Sequence, residues 1–382
     1  MTIIKGRVIK IHRLGAKLTF LHLSCDGDIN EIVLEDISHQ IKRGDFIIAK
    51  GTWCPHQKKK AENEFIITEI LNVIPNQCTN NTPIFLSKSL SPSKISSLNL
   101  RTVVETCILE FYQKLGFTLV NSPILVGNWV KGQTGNFPLN FYNDEHCSLR
   151  ISTMLHHQII MSHGYNNIFE IAKLFRQENP SHKNRLAEFT NIVVGMTDSY
   201  LDDIISIFSK MIIFLHKELK KRNFEGISIP NTINFQQISF TELLEKAKLN
   251  KITGHQLPEK IRNFLNKEFN SFVWVTNFPS NTRPFYVKSN GDFCFDCQLW
   301  YRGTKYIAAG GETETNPDIL KRKIEIEGKL EDDFKFLLDT LNFGLPPLSG
   351  IDLGIERFLS VWLDRKESDF SFFPRYKNHF SP

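Results

Sequence analysis

A disulfide framework, a membrane span and a strong charge of one sign are all missing from this 382-residue chain. Its seven cysteines are an odd number without framework spacing, which excludes a stapled secreted scaffold and reads as reduced thiols in a cytosol. No stretch approaches the ~20 apolar residues of a membrane-spanning helix. The start, MTIIKGRVIKIHRLG, lacks the continuous apolar core of a secretory signal. The 46 basic and 41 acidic residues leave a formal charge of +5, which permits a polyanionic partner without demanding one. These absences point to a soluble, cytoplasmic protein. Hydrophobic content of 41% over this length is enough for two domains, one with a large core.

The most informative stretch is IFEIAKLFRQENPSHKNRLAEFTNI, residues 168–192. An apolar, strand-forming run leads into a polar loop at 179–184, and a second apolar run returns from Leu186, the pattern of an antiparallel hairpin. Arg176, Glu178, Arg185, Glu188 and Phe189 lie on or beside the loop. Arginines that fork onto phosphate beside an aromatic face suit nucleotide binding. A hairpin with a solvated charged tip is the plain alternative. A second arginine-bearing segment, GIDLGIER at 350–357, opens as a glycine-punctuated strand and runs into the helical pattern FLSVWL. Arg357 therefore starts a helix, where free backbone N–H groups favour anions.

Together, FRQE, RLAEF and GIDLGIER resemble motifs 2 and 3 of the class II aminoacyl-tRNA synthetases. FGLPPLSGIDLGIERF at 343–358, FFPR at 372–375 and NFPSNTRPFY at 277–286 are similar to segments of the aspartyl and asparaginyl enzymes of archaeal and eukaryotic type. The resemblance covers nearly the whole chain. It implies ATP-dependent activation of an amino acid as its adenylate, transfer to tRNA, a magnesium cofactor and a homodimer. It places Arg176 on the α-phosphate, Glu178 near the adenine edge, Phe189 stacked on adenine, and Arg185 and Arg357 on the terminal phosphates. Arg176 and Arg357 are thereby the expected catalytic pair.

Five short strands at 3–12, 18–23, 31–34, 45–52 and 64–73 fit a small OB-type barrel over residues 1–76. It resembles the family's anticodon-binding domain, with Phe20 as candidate stacking platform, Arg13 and Lys17 as phosphate contacts, and Glu31 where the family reads a base with glutamine. An inward-facing barrel residue is the plain alternative for Phe20. A polar linker at 77–97 follows, then a catalytic domain at 98–382, opening with a helix at 99–115 and a strand that resemble the dimer-forming motif 1. A helix is expected at 201–221, mostly helix at 235–270, and strands at 272–309, so that the whole is an α+β chain: an OB-fold barrel followed by an antiparallel sheet flanked by helices.

The amino-acid and metal positions depart from the resemblance. Lys131 stands where a glutamate usually faces the substrate ammonium, and Met154 where the family has glutamine. The arginine that reads an aspartate side chain is missing, with Thr313 and Glu314 in its neighbourhood, and GETETN instead resembles the lysyl-type segment whose glutamate meets a cation. The two magnesium carboxylates should fall near Gln298 and Tyr306, leaving Asp296 as the nearest substitute. Cys294-Phe-Asp-Cys297 is a lone CxxC with no second pair to complete a zinc site.

Overall fold

The computed structural model describes residues 1–14, 18–26, 28–35, 40–55, 63–77, 91–127, 135–142, 145–177, 185–224, 226–249, 257–303, 305–328 and 334–377. By its internal contacts the chain falls into two units, residues 1–103 with 222–228, and residues 104–221 with 229–381.

The first unit is built on five strands, β1 (Thr2–Leu14), β2 (Leu18–Cys25), β3 (Asp28–Glu35), β4 (Phe46–Pro55) and β5 (Asn63–Ile74). They close in the order β1-β2-β3-β5-β4. Alternate side chains turn inward, so that Val8, Leu21, Leu23, Ile32, Ile47 and Phe65 are all fully buried. A bulge between Val8 and Lys10 bends β1, whose first half pairs with β4 and whose second half pairs with β2. That division lets one strand close the barrel.

Helix α1 (Pro92–Lys114) begins earlier than the sequence pattern indicates. Pro92 can open it because a proline at a helix start gives up an N–H with no partner there, and Ser91 Oγ accepts the Lys94 N–H at 3.3 Å. The second unit carries an eight-stranded sheet, formed by β6 (Thr118–Leu119), β10 (Asn167–Phe175), β11 (Glu188–Thr197), β12 (Phe235–Ser239), β13 (Phe272–Thr276), β14 (Asp296–Tyr301), β15 (Lys305–Glu312) and β16 (Leu348–Gly354). Its order is β12-β13-β14-β15-β16-β11-β10-β6. All pairs are antiparallel except β12 with β13 and β10 with β6. A smaller sheet joins β7 (Leu125–Val126), β8 (Pro138–Phe141) and β9 (Glu145–Leu149). The strand β12 lies inside a stretch expected to be mostly helical; its five residues are too few for periodicity to distinguish the two, and pairing with the buried β13 decides.

One face of the large sheet is covered by α3 (Leu201–Lys220) and α8 (Ile355–Trp362), which bury their apolar stripes on it. On the other face, α2 (Met154–Ser162) covers one end, and α4 (Phe240–Lys246) with α5 (Glu259–Glu268) covers the opposite edge. The helices α6 (Pro317–Ile326) and α7 (Lys335–Asn342) pack beside α2. The middle of that second face is where the arginine-bearing strands meet.

Candidate active site

The expected hairpin forms as β10 and β11, in a register that pairs Leu174 with Phe189. Arg176 leaves the end of β10, and its Nε and Nη2 donate to the Ile151 carbonyl at 3.3 and 3.1 Å. That fork aims the guanidinium, which lies 5.3 Å from the centroid of the Phe189 ring. The C-terminal FFPR segment folds back on the same place, where the Ala187 N–H donates to the Arg375 carbonyl at 2.7 Å. Arg185 is half-buried just before this contact.

Arg357 lies in the first turn of α8, with its guanidinium 5.7 Å from the Tyr306 ring centroid and its Nε 3.8 Å from Glu367. The helix start is held by its neighbour Glu356, which accepts the Thr190 N–H at 2.9 Å. Strand order therefore brings the arginines of two distant segments to one region, because β16 pairs directly with β11.

Residues paired across strands point to the same face, so the register fixes a row Gln298–Ala309–Asp352–Val193–Glu170 on the open face. Asp352 is the residue that sequence reasoning missed. The alternation in SGIDLGIER places Gly350, Asp352 and Gly354 on one face and was the available signal. Asp352 accepts a hydrogen bond from Asn191 Nδ2 at 2.7 Å. Burial pushes its carboxyl up from the usual range, while Arg176, Arg357 and the Asn191 bond act against that rise. Burial likewise pushes the nearby Tyr286 hydroxyl up to about 12, helped by the Asp352 charge and opposed by Arg176.

The amino-acid positions are apolar or already paired. Met154 packs with Ala172, Leu174, Val193 and Phe189, and its methyl would lie 2.6 Å from a Cβ placed on Gly350. Thr313 is buried, its N–H donating to the Leu348 carbonyl. Glu314, 5% exposed, accepts from Lys323 Nζ at 3.4 Å, so a lysine of this chain stands against the carboxylate that the lysyl-type resemblance assigns to a substrate cation.

The expected metal positions do not fit magnesium. Gln298 Oε1 accepts from Trp300 Nε1, and Tyr306 packs on Trp300 and Arg357. The substitute, Asp296, is committed elsewhere: one oxygen accepts the Phe278 N–H at 2.9 Å and the other accepts from Arg283 Nε at 2.5 Å. A hard cation needs free oxygen ligands, and none remains there. Among the described residues no group of three or more His, Cys, Asp or Glu could hold a metal. Cys294 and Cys297 are both buried, and burial pushes both thiols up, against ligation.

Beside the site, a closed polar cluster ties the strands together. Glu170 bonds Arg150 at 2.8 Å, Ser122 Oγ at 2.7 Å and His157 Nε2 at 3.1 Å. On the barrel, Phe20 is half-buried on the outer face, paired with His12 and Val33, and Glu31 pairs with His22 on that same face. Arg13 is exposed and pairs with Thr19. Lys17, Lys131 and Glu178 lie outside the described residues.

Known proteins resemble this chain in sequence and in fold. The family model described as tRNA synthetases class II (D, K and N) matches residues 82–377. The aspartate–tRNA(Asp/Asn) ligase of Methanocaldococcus jannaschii is 26% identical over 418 residues, covering 100% of this chain and 94% of that protein. The aspartate–tRNA(Asp) ligase of Thermoplasma volcanium is 31% identical over 306 residues, 75% of this chain and 70% of its own length. The asparaginyl-tRNA synthetase of Pyrococcus horikoshii, solved with asparaginyl-adenylate, superposes with a TM-score of 0.85 at 21% identity, over 100% of this chain and 96% of that one. The fold is thus an OB-type barrel followed by the class II sheet, and the chain belongs to the class II tRNA synthetases of the D, K and N group.

Proposed function

We propose that this protein activates an amino-acid carboxylate with ATP, forming an aminoacyl-adenylate, and passes the acyl group to a tRNA in the cytoplasm. Aspartate or asparagine is the leading substrate, since the similar ligases act on the corresponding tRNAs. The observation that carries the reading is Arg176 held over Phe189, whose strand pairs with the one that leads into the helix carrying Arg357. A ring for the adenine and two fixed cations for the phosphates are what adenylation requires, because negative charge grows on the α-phosphate as the carboxylate attacks. Arg185 and Glu178 would complete the nucleotide contacts. Phe20 and Arg13 on the barrel would meet the tRNA.

A homodimer is part of the proposal. Leu119, Ile124 and Leu125 are each more than 40% exposed beside the edge strand β6, where a second copy would cover them. Sedimentation at twice the chain mass supports the dimer, and a monomer at micromolar concentration refutes it.

A second reading is favoured by Glu314 and Lys323. With that carboxylate answered from within, and Met154 apolar, the pocket suits a relative that adenylates a different acid for another acceptor. ATP–pyrophosphate exchange, with every standard amino acid offered singly, separates the two. Exchange with aspartate or asparagine supports the first reading, and exchange with another acid redirects the substrate. Silence from protein that still binds ATP removes the standard activation chemistry.

A further inference from the structure

The positions where the family holds a divalent cation lack free carboxylates, yet the same cross-strand row contains one. Gln298 on β14 pairs with Ala309 on β15, and Ala309 pairs with Asp352 on β16. Directly paired residues share a face, so the Asp352 carboxylate opens on the side where Gln298 lies, about 10 Å away at two strand spacings.

Two oxygens beside this place lack a side-chain partner among the described residues. Asp352 bonds Asn191 through one oxygen, and its other oxygen has no side-chain partner among the described residues. Asn191 is 3% exposed and gives its Nδ2 to Asp352, which leaves its Oδ1 buried without a hydrogen-bond partner. A buried acceptor left alone is costly and points to something that binds there. Gly354, the cross-strand partner of Asn191, has no side chain to cover that oxygen, and a Cβ built on it would come within 3.3 Å.

We propose that Asp352 and Asn191 hold the divalent cation that accompanies ATP, one strand over from Tyr306 and two from Gln298. The inference rests on the nucleotide reading of Arg176 and Arg357. Both arginines lie near enough to Asp352 to shift its charge balance. Phosphates that engage them withdraw that neutralisation and bring negative charge toward the carboxylate, and a cation between the two restores the balance. Magnesium suits the place, since it binds through one or two protein oxygens plus substrate phosphates and keeps several waters. A carboxylate that served only to anchor the arginines would instead oppose ATP whether or not magnesium were present.

The test is direct ATP binding by calorimetry, in excess EDTA and in excess magnesium, on the full chain and on Asp352→Asn and Asn191→Ala. Magnesium is expected to tighten binding to the native protein by about tenfold or more. Asp352→Asn loses that gain and binds at least as tightly as the native protein in EDTA, since a charge facing the phosphates is gone. Asn191→Ala loses part of the gain. Retained binding in EDTA shows that each variant is folded. Native protein whose ATP affinity ignores magnesium, or an Asp352→Asn protein that keeps the full gain, overturns the cation site and leaves the nucleotide reading standing. Failure of the native protein to bind ATP in either condition overturns both.

Discussion

Arg176 is positioned by a backbone carbonyl, and that makes its geometry more demanding than its charge. Both of its contacts to Ile151 come from one guanidinium edge, which a lysine cannot copy. Arg176→Ala is expected to lower exchange by about 10²-fold or more, and Arg176→Lys to recover little of it; steady-state exchange assays check both. His156 gives a prediction in pH. Burial lowers its pKa from 6.5 to about 4, partly offset by Glu170. The unfolded chain therefore holds the extra proton between these values, and stability present above pH 6.5 is lost as pH falls toward 4. His156→Gln should flatten this slope, by on the order of 1 kcal/mol because the ring is partly solvated, as read from urea midpoints across that range. The roles that the sequence assigns to Arg176, Phe189 and Arg357 are carried by residue types in short motifs, and so could be stated in advance. Asp352 could not be valued that way. It matters because Asn191 and Arg176, from two other segments, converge on it beside Arg357 of its own, and convergence is a property of register.

At the scale of elements, β-strands were easier to foresee than their neighbours. Alternation marks the barrel strands, which bury mainly one face, whereas the hairpin shows as two apolar runs around a polar loop, because β11 is buried on both faces. The bulge between Leu299 and Trp300 was not legible, since nothing in QLWYRG announces where the ladder slips. The turn that follows it offers an element-level test. Gly303 sits at φ +60°, and a Cβ there would collide with the Arg262 carbonyl and lie 2.7 Å from the Asn266 backbone nitrogen, both on α5. Gly303→Ala should therefore cost on the order of 2 kcal/mol or more, measured as a lower urea midpoint, by prying the β14–β15 turn from α5. The same substitution at Gly291, φ +105° with open space around its Cβ position, carries only the backbone strain and should cost less.

For the whole molecule, the barrel and the sheet unit have separate cores, and their responses to ligand should separate. Trp53 is the single tryptophan of residues 1–76 and stands edge-on to Phe65, so its emission reports the barrel. With Trp53→Phe as the subtraction control, ATP is expected to raise the melting temperature of the sheet unit by several degrees and to leave the Trp53 transition in place. A single transition shifted as one would refute independent cores. The order of strands in the large sheet has a further consequence, one of timing. The strand β16 follows every other strand of that sheet in the chain, yet it lies between β15 and β11 and joins β12 to β15 with β11, β10 and β6. During synthesis, the two halves of the sheet must wait as separate pieces, each with an unpaired inner edge open to wrong partners. Residues 348–354 are the keystone: a ribosome that stalls before them releases a chain with both nucleotide-facing strands made and no site between them.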